Sequence, residues 1–106
     1  MALNDIPQNE EGFLLNTDDW CLAIAHELAA RENIQLSDNH LEVLHAIQQF
    51  YQDFDHSPSM RPLVKHIKQT LGSDKGNSIY LLTLFPESPA KFACKIAGIP
   101  KPEKCL

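Results

Sequence analysis

What is scarce in the 106-residue chain narrows its class first. No apolar run approaches the roughly 20 residues that a membrane helix needs, and the amino terminus lacks the basic-then-apolar order of a secretory signal. Membrane contact is therefore not expected, and the cytoplasm is the expected compartment. Cysteine is rare: three residues at wide, uneven spacing do not make a disulfide framework, and a reducing compartment disfavours a permanent bridge. Five histidines accompany them, but no CxxC or HxxxH pair occurs, and His40 and His45 are five apart, which separates them on a helix. Neither a metal nor a cofactor is expected. Bases are nearly missing from one half. Residues 1–56 hold eleven acids and one base, Arg31, a balance of −10, whereas residues 57–106 hold eight bases and three acids, a balance of +5. The second half is the one that can face an anion, although opposite charges within one fold also attract each other. No internal repeat or low-complexity segment is visible.

With 43% apolar and 22% charged residues, the chain can bury a single core, and one domain is expected. Residues 1–10 are polar and aperiodic, and Glu11-Gly-Phe-Leu-Leu-Asn16 fits a short strand or half a hairpin. Thr17 or Asp18 can cap a first helix running to about Arg31, with Trp20, Ile24 and Leu28 on one face and Cys21 beside them as a small core residue. Ser37 and Asp38 start a second helix. Its wide apolar face, with Leu41, Leu44, Ile47 and Tyr51 on one stripe and Val43, Phe50 and Phe54 adjoining, predicts the central core helix, ended at His56-Ser57-Pro58. A third helix follows, capped by Ser57 or Ser59, facing inward with Met60, Leu63, Val64, Ile67 and Leu71, and stopped by Gly72. The run Ile79–Phe85 is strand or helix by periodicity. A Ser78 cap and the Pro86 stop favour helix. Ser88-Pro89 opens a last short helix over Ala90–Ala97, and Gly98 closes it.

What remains is an arm. Cys94 lies near the end of the last helix and Cys105 is penultimate, with a Gly-Ile-Pro-Lys-Pro segment between them that cannot continue the helix. At about 3.3 Å per extended residue, the stretch from Gly98 to Cys105 reaches roughly 23 Å, against about 6 Å of helix from Cys94 to Gly98. The two sulfurs can therefore meet, and closing that loop would stabilise a bridged form by somewhat under about 3 kcal/mol. Such a bridge suits one thiol that accepts sulfur as a persulfide and another that resolves it. Lys101 and Lys104 near Cys105, and Lys91 and Lys95 around Cys94, favour thiolate, while the terminal carboxylate opposes it at Cys105. Cys94 alone also reads as a buried core cysteine.

These residues carry a resemblance. Cys94-Lys-Ile-Ala-Gly-Ile-Pro-Lys-Pro-Glu-Lys-Cys105-Leu106 resembles the terminal arm of the DsrC/TusE family of sulfur carriers. The likeness extends through Ser57-Pro58 with Arg61-Pro-Leu-Val-Lys65, Lys75-Gly-Asn-Ser78 with Tyr80, Leu84-Phe-Pro86, Pro89-Ala-Lys91, and back to Glu11-Gly-Phe13 and Asp19-Trp20. It implies an α+β fold, mostly helical, with about five helices, a short N-terminal β-meander and a mobile C-terminal arm. The domain would span 1–98 and the arm 99–106. The resemblance also implies that Cys105 is the sulfur-bearing residue and that Cys94 occupies the second, less universal cysteine position, where it can act as a resolving thiol. The segment before Glu11 is shorter than is usual in the family, so the first strand can be missing. Leu41 stands where a tryptophan is usual.

Two branches fit. In one, sulfur arrives from a TusBCD/DsrEFH-like donor complex and moves toward a tRNA thiolase that makes 2-thiouridine at the wobble position. In the other, the partner is a siroheme sulfite reductase and both cysteines take part. Cys94 favours the second, and the Lys104-Cys105-Leu106 ending favours the first, which is the preferred expectation. Arg61, Lys65, Lys101 and Lys104 are the expected docking or activating cations for the arm, Arg61 and Lys65 by meeting its terminal carboxylate. A rival of another class is a helix-turn-helix nucleic-acid module using Arg61, Lys65, Lys68 and Lys75. A structural subunit with an inert tail is the third reading.

Overall fold

Ser37 and His40 start the longest element. The Ser37 hydroxyl accepts the His40 amide while His40 Nδ1 accepts the Ser37 amide at 3.1 Å, a reciprocal capping box at the head of α2 (Asp38–Phe54). Because Nδ1 is an acceptor there, Nε2 carries the proton and donates to Leu84 O at 2.8 Å, so buried His40 is satisfied as a neutral ring. The computed structural model describes residues 2–103, and in it α2 stands among α1 (Leu22–Arg31), α3 (Met60–Leu71), α4 (Ser78–Leu84) and α5 (Pro89–Ile96). No helix among the described residues is long and apolar enough to cross a membrane.

The caps follow the sequence closely. Ser59 precedes α3 with Pro62 in its first turn, Gly72 ends it at φ 104°, and Pro89 opens α5 behind Ser88. At α4 the cap is Asn77, which accepts the Tyr80 amide at 2.8 Å, so Ser78 is the first helical residue instead. Asp55, in the left-handed region at φ 58°, ends α2 before the Pro58 signal is reached.

The expected β-meander does not form. Among the described residues there is no strand, only an isolated antiparallel bridge between Gln8 and Leu14. The cause is local: Pro7 has no amide to give a ladder. Asn9 Oδ1 takes the amides of Glu11 and Phe13 at 2.9 and 3.0 Å, which closes a tight turn. The apolar residues of this segment, Leu3, Ile6, Phe13 and Leu14, are buried in the helical core, so the segment is a lid and not a sheet.

Two other expectations change. The first helix does not start at Thr17: Thr17–Asp19 is one 3-10 turn, Trp20 is extended, and α1 begins at Leu22. Cys21 is therefore at the cap position and exposed, not in the core. The central helix is also not α2. The short α5 packs against all four others, and Pro89, Ala90, Ala93, Cys94, Lys95 and Ile96 are buried on it. Its small side chains let neighbours approach from every side. The longer α2 runs past the core, leaving Phe54 57% exposed.

Candidate functional site

The site is built on the carboxyl end of α5. Cys94 has no exposed surface, and its Sγ lies 3.9 Å from the carbonyl of Pro58, in the loop joining α2 to α3. The four last carbonyls of α5 and its cap, which a helix end leaves without intrahelical partners, are each taken up. Ile99 N donates to Cys94 O and Gly98 N to Lys95 O, both at 3.1 Å, a Schellman motif with Gly98 at φ 79°. Trp20 Nε1 donates to Ile96 O at 2.7 Å, and Gln48 Nε2 donates to Ala97 O at 2.9 Å. A Cβ on Gly98 would lie 2.5 Å from Trp20 Cδ1, so the indole sits directly on the glycine. The extended Trp20 that broke the first helix is thus the clamp on the hinge.

Beyond the hinge the chain stays on the body as far as it is described. Ile99 and Pro102 are buried, and Ser57 Oγ donates to Pro100 O at 2.5 Å. Lys101 Nζ is 3.1 Å from both carboxylate oxygens of Glu11. Glu103 lines a cleft of about 310 Å³ with His56, Ser57, Ser59 and Pro62. The loop whose Pro58 carbonyl faces Cys94 therefore also receives the described end of the arm. Lys104 and Cys105 lie outside the described residues.

The lysines expected around the thiols have definite partners. Lys95 is buried, 3.3 Å from Glu32, with its ammonium over the rings of Phe13 and Phe92 at 5.2 and 5.7 Å. Lys91 is 3.4 Å from Glu11. Glu11 thus joins α5 to the arm, and the hydrogen bond from Lys101, with Lys91 beside it, lowers the pKa of its carboxyl from the ordinary value. Arg61 and Lys65 stand exposed on α3 and make no ion pair with a described residue. Of the four cations in the helix-turn-helix reading, Lys75 is bound to Glu42 at 2.7 Å, a hydrogen bond that raises its pKa. Among the described residues no three of His, Cys, Asp and Glu form a group that could hold a metal ion, and His66, like His40, bonds a backbone carbonyl, Ala46 O at 2.9 Å.

Residue reasoning gave Glu11, Trp20, Gln48 and Ser57 no part in the site, reading Trp20 as a helix-face residue and Ser57 as a candidate helix cap. Glu11, Trp20 and Ser57 do lie in the stretches that carry the family resemblance, which is the signal that could have singled them out.

The comparisons agree with that resemblance. The family model described as "DsrC like protein" matches residues 1–106. A protein named sulfurtransferase TusE from Buchnera aphidicola subsp. Acyrthosiphon pisum is 51% identical over 102 residues, covering 96% of this chain and 90% of that one. The sulfurtransferase TusE homolog of Haemophilus influenzae is 47% identical, covering 96% and 94%. Among solved structures, Allochromatium vinosum DsrC superposes with a TM-score of 0.86 at 39% identity, over 95% of this chain and 90% of that one. The oxidized gamma-subunit of the dissimilatory sulfite reductase from Archaeoglobus fulgidus gives a TM-score of 0.80 at 34% identity, covering 95% and 92%.

Proposed function

The chain belongs to the DsrC family, and from that premise we propose that it is a cytoplasmic sulfurtransferase of the carrier kind, whose Cys105 takes sulfur from one protein and passes it to another. The course of the arm supports this most. Residues 99–103 lead from the α5 hinge to Glu103 on the loop that carries Pro58, the carbonyl neighbour of Cys94. Cys105 is two residues further on, about 7 Å of extended chain, so it is within reach of the same loop.

The chemistry needs no cofactor. The Cys105 thiolate attacks the outer sulfur of a donor persulfide. The donor's S–S bond breaks, its thiolate leaves with the electron pair, and Cys105 holds the persulfide, with no net change in oxidation state. An acceptor thiolate can take the outer sulfur in the same way. Alternatively, the Cys94 thiolate attacks the inner sulfur, forms a Cys94–Cys105 disulfide and expels hydrosulfide, after which an external dithiol must reduce the bridge. The burial of Cys94 restricts it to a sulfur delivered inside the protein. Lys101, held by Glu11, seats the arm, and Arg61, Lys65 and Lys104 are the cations available to its terminal carboxylate and to the thiolate.

Two partner sets follow. The relatives named sulfurtransferase TusE are 47–51% identical and the DsrC structures 29–39%, which with the Lys104-Cys105-Leu106 ending favours relay from a TusBCD/DsrEFH-like donor toward a tRNA thiolase. The position of Cys94 beside the arm favours the second reading, a partner of siroheme sulfite reductase. Mass spectrometry after incubation with a persulfide donor is expected to show a one-sulfur increment that is lost in Cys105→Ser and kept in Cys94→Ser. Increments indifferent to Cys105 overturn the assignment.

A further inference from the structure

The eight described bases fall into two groups. Lys75 pairs with Glu42, Lys91 and Lys101 with Glu11, Lys95 with Glu32, and Arg31 is held by Gln8 and Asn4. The other three, Arg61, Lys65 and Lys68, are all exposed on α3 at spacings of four and three, which places them along one ridge, and they form no ion pair with any described residue. A chain of net charge −5 with fourteen acids could neutralise three more cations on its own surface. These are left open together.

The ridge lies between two apolar hollows. On the α4 side a cleft of about 880 Å³ is lined by Met60 and Val64 and closed by Ser78, and the helix that follows exposes Ile79 (75%) and Leu82 (42%). On the α2 side a cleft of about 750 Å³ is lined by Phe50 and Phe54, with Asp53 as its one acid. Scattered exposed apolar residues mean little, but apolar hollows flanking an unpaired cationic ridge have the composition of a protein-binding face, with arginine and aromatic anchors. At the amino end of this ridge, Ser59 and Pro62 line one cleft with Glu103 of the arm.

We propose that the α3 ridge with its two flanking clefts is the docking face for the protein that exchanges sulfur with Cys105, and that this partner presents carboxylates bordered by apolar side chains. This rests on the carrier reading above. A partner seated here has its reacting sulfur at the exit of the arm, so one contact sets both recognition and alignment. A nucleic acid would match the cations but not exposed Ile79 and Leu82, which offer neither stacking nor phosphate contact.

The test compares two donors for loading of the full-length chain, followed by mass. Glutathione persulfide needs no docking, whereas a TusBCD/DsrEFH-like protein donor does. Lys68→Glu combined with Ile79→Ser is expected to slow loading from the protein donor at least fivefold and to leave loading from glutathione persulfide unchanged. Lys68→Gln alone should give a smaller drop in the same sense. Raising the salt concentration should slow the protein donor more for wild type than for the double variant. Unchanged rates with the protein donor, and in transfer onward to an acceptor protein, overturn the docking face. So does loss of labelled tRNA retention at low salt without any change in protein-donor rate, which assigns the ridge to RNA. Absence of loading on Cys105 even from glutathione persulfide overturns the carrier reading itself, so the two failures are distinct.

Discussion

Helices α5 and α3 both carry basic residues, and they use them in opposite ways. On α5 and the arm, Lys91, Lys95 and Lys101 reach back to Glu11 and Glu32, and the carbonyls at the helix end are each bonded. On α3, Arg61, Lys65 and Lys68 are exposed and form no ion pair with any described residue. The first region holds the root of the arm to the body, and the second is the one we propose for docking. Charge in one fold thus divides by address: the described cations beside the buried thiol are paired within the fold, and those on α3 form no ion pair with a described residue.

Substitutions should respect that division. The largest effect is expected at Gly98, whose φ of 79° and contact with Trp20 leave no room for a side chain. Gly98→Ala should cost about 3 kcal/mol, read as a lowered urea midpoint at unchanged slope. Next, Glu32→Ala leaves buried Lys95 without its carboxylate and should cost about 2 kcal/mol, less than for a fully buried pair because Glu32 touches water. Pairing that change with Lys95→Met should restore most of the loss. If Glu32→Ala is silent, Lys95 is not structural and the contrast with α3 weakens. Trp20→Phe keeps a ring on Gly98 but removes the donor to Ile96 O, for about 1 kcal/mol. Lys68→Gln, on the other helix, should leave the urea midpoint where it is; a loss there would mean the ridge is also structural.

The smallest effect is electrostatic and exposed. The Glu11 carboxyl is held below its ordinary 4.5 by Lys101 and then Lys91. A depressed folded pKa means its contribution is fully present above 4.5 and fades as pH falls through the lower folded value. The arm's seat should therefore loosen only as pH falls below 4.5 through the lowered folded value, a change absent in Glu11→Gln. Lys101 side-chain NMR shifts against pH would show it, and identical titrations in both proteins would dismiss Glu11 as the seat.

Much of the fold was legible because helix ends are written locally. Ser37 starts a helix through its side chain and Pro89 through its ring, Ser59 stands at the cap position of α3, and Gly72 and Gly98 stop helices through backbone freedom. What was hidden depends on long-range fit. Glu11–Asn16 reads as a strand from its turn glycine and short apolar run, but Asn9 closes the turn on itself and the apolar residues find helices to cover. Trp20 and Cys21 sit in helical register in the sequence, yet the indole's reach to Ile96, 76 positions away, draws the chain out of the helix and turns Cys21 to solvent. The centrality of α5 was masked because small residues look weak on any hydrophobic count. Of the site, Cys94 and its glycine hinge could be read directly, while the clamps from Trp20, Gln48 and Ser57 could not, since nothing local in those residues names their partner.

The Schellman bond from Ile99 N to Cys94 O means that the root of the arm is fastened to the peptide unit of the buried cysteine itself. The arm cannot leave its root without first releasing that amide. Hydrogen exchange at Ile99 is thus a built-in stopwatch: its rate times the opening of the carrier in the unlabelled protein, with neither sulfur touched.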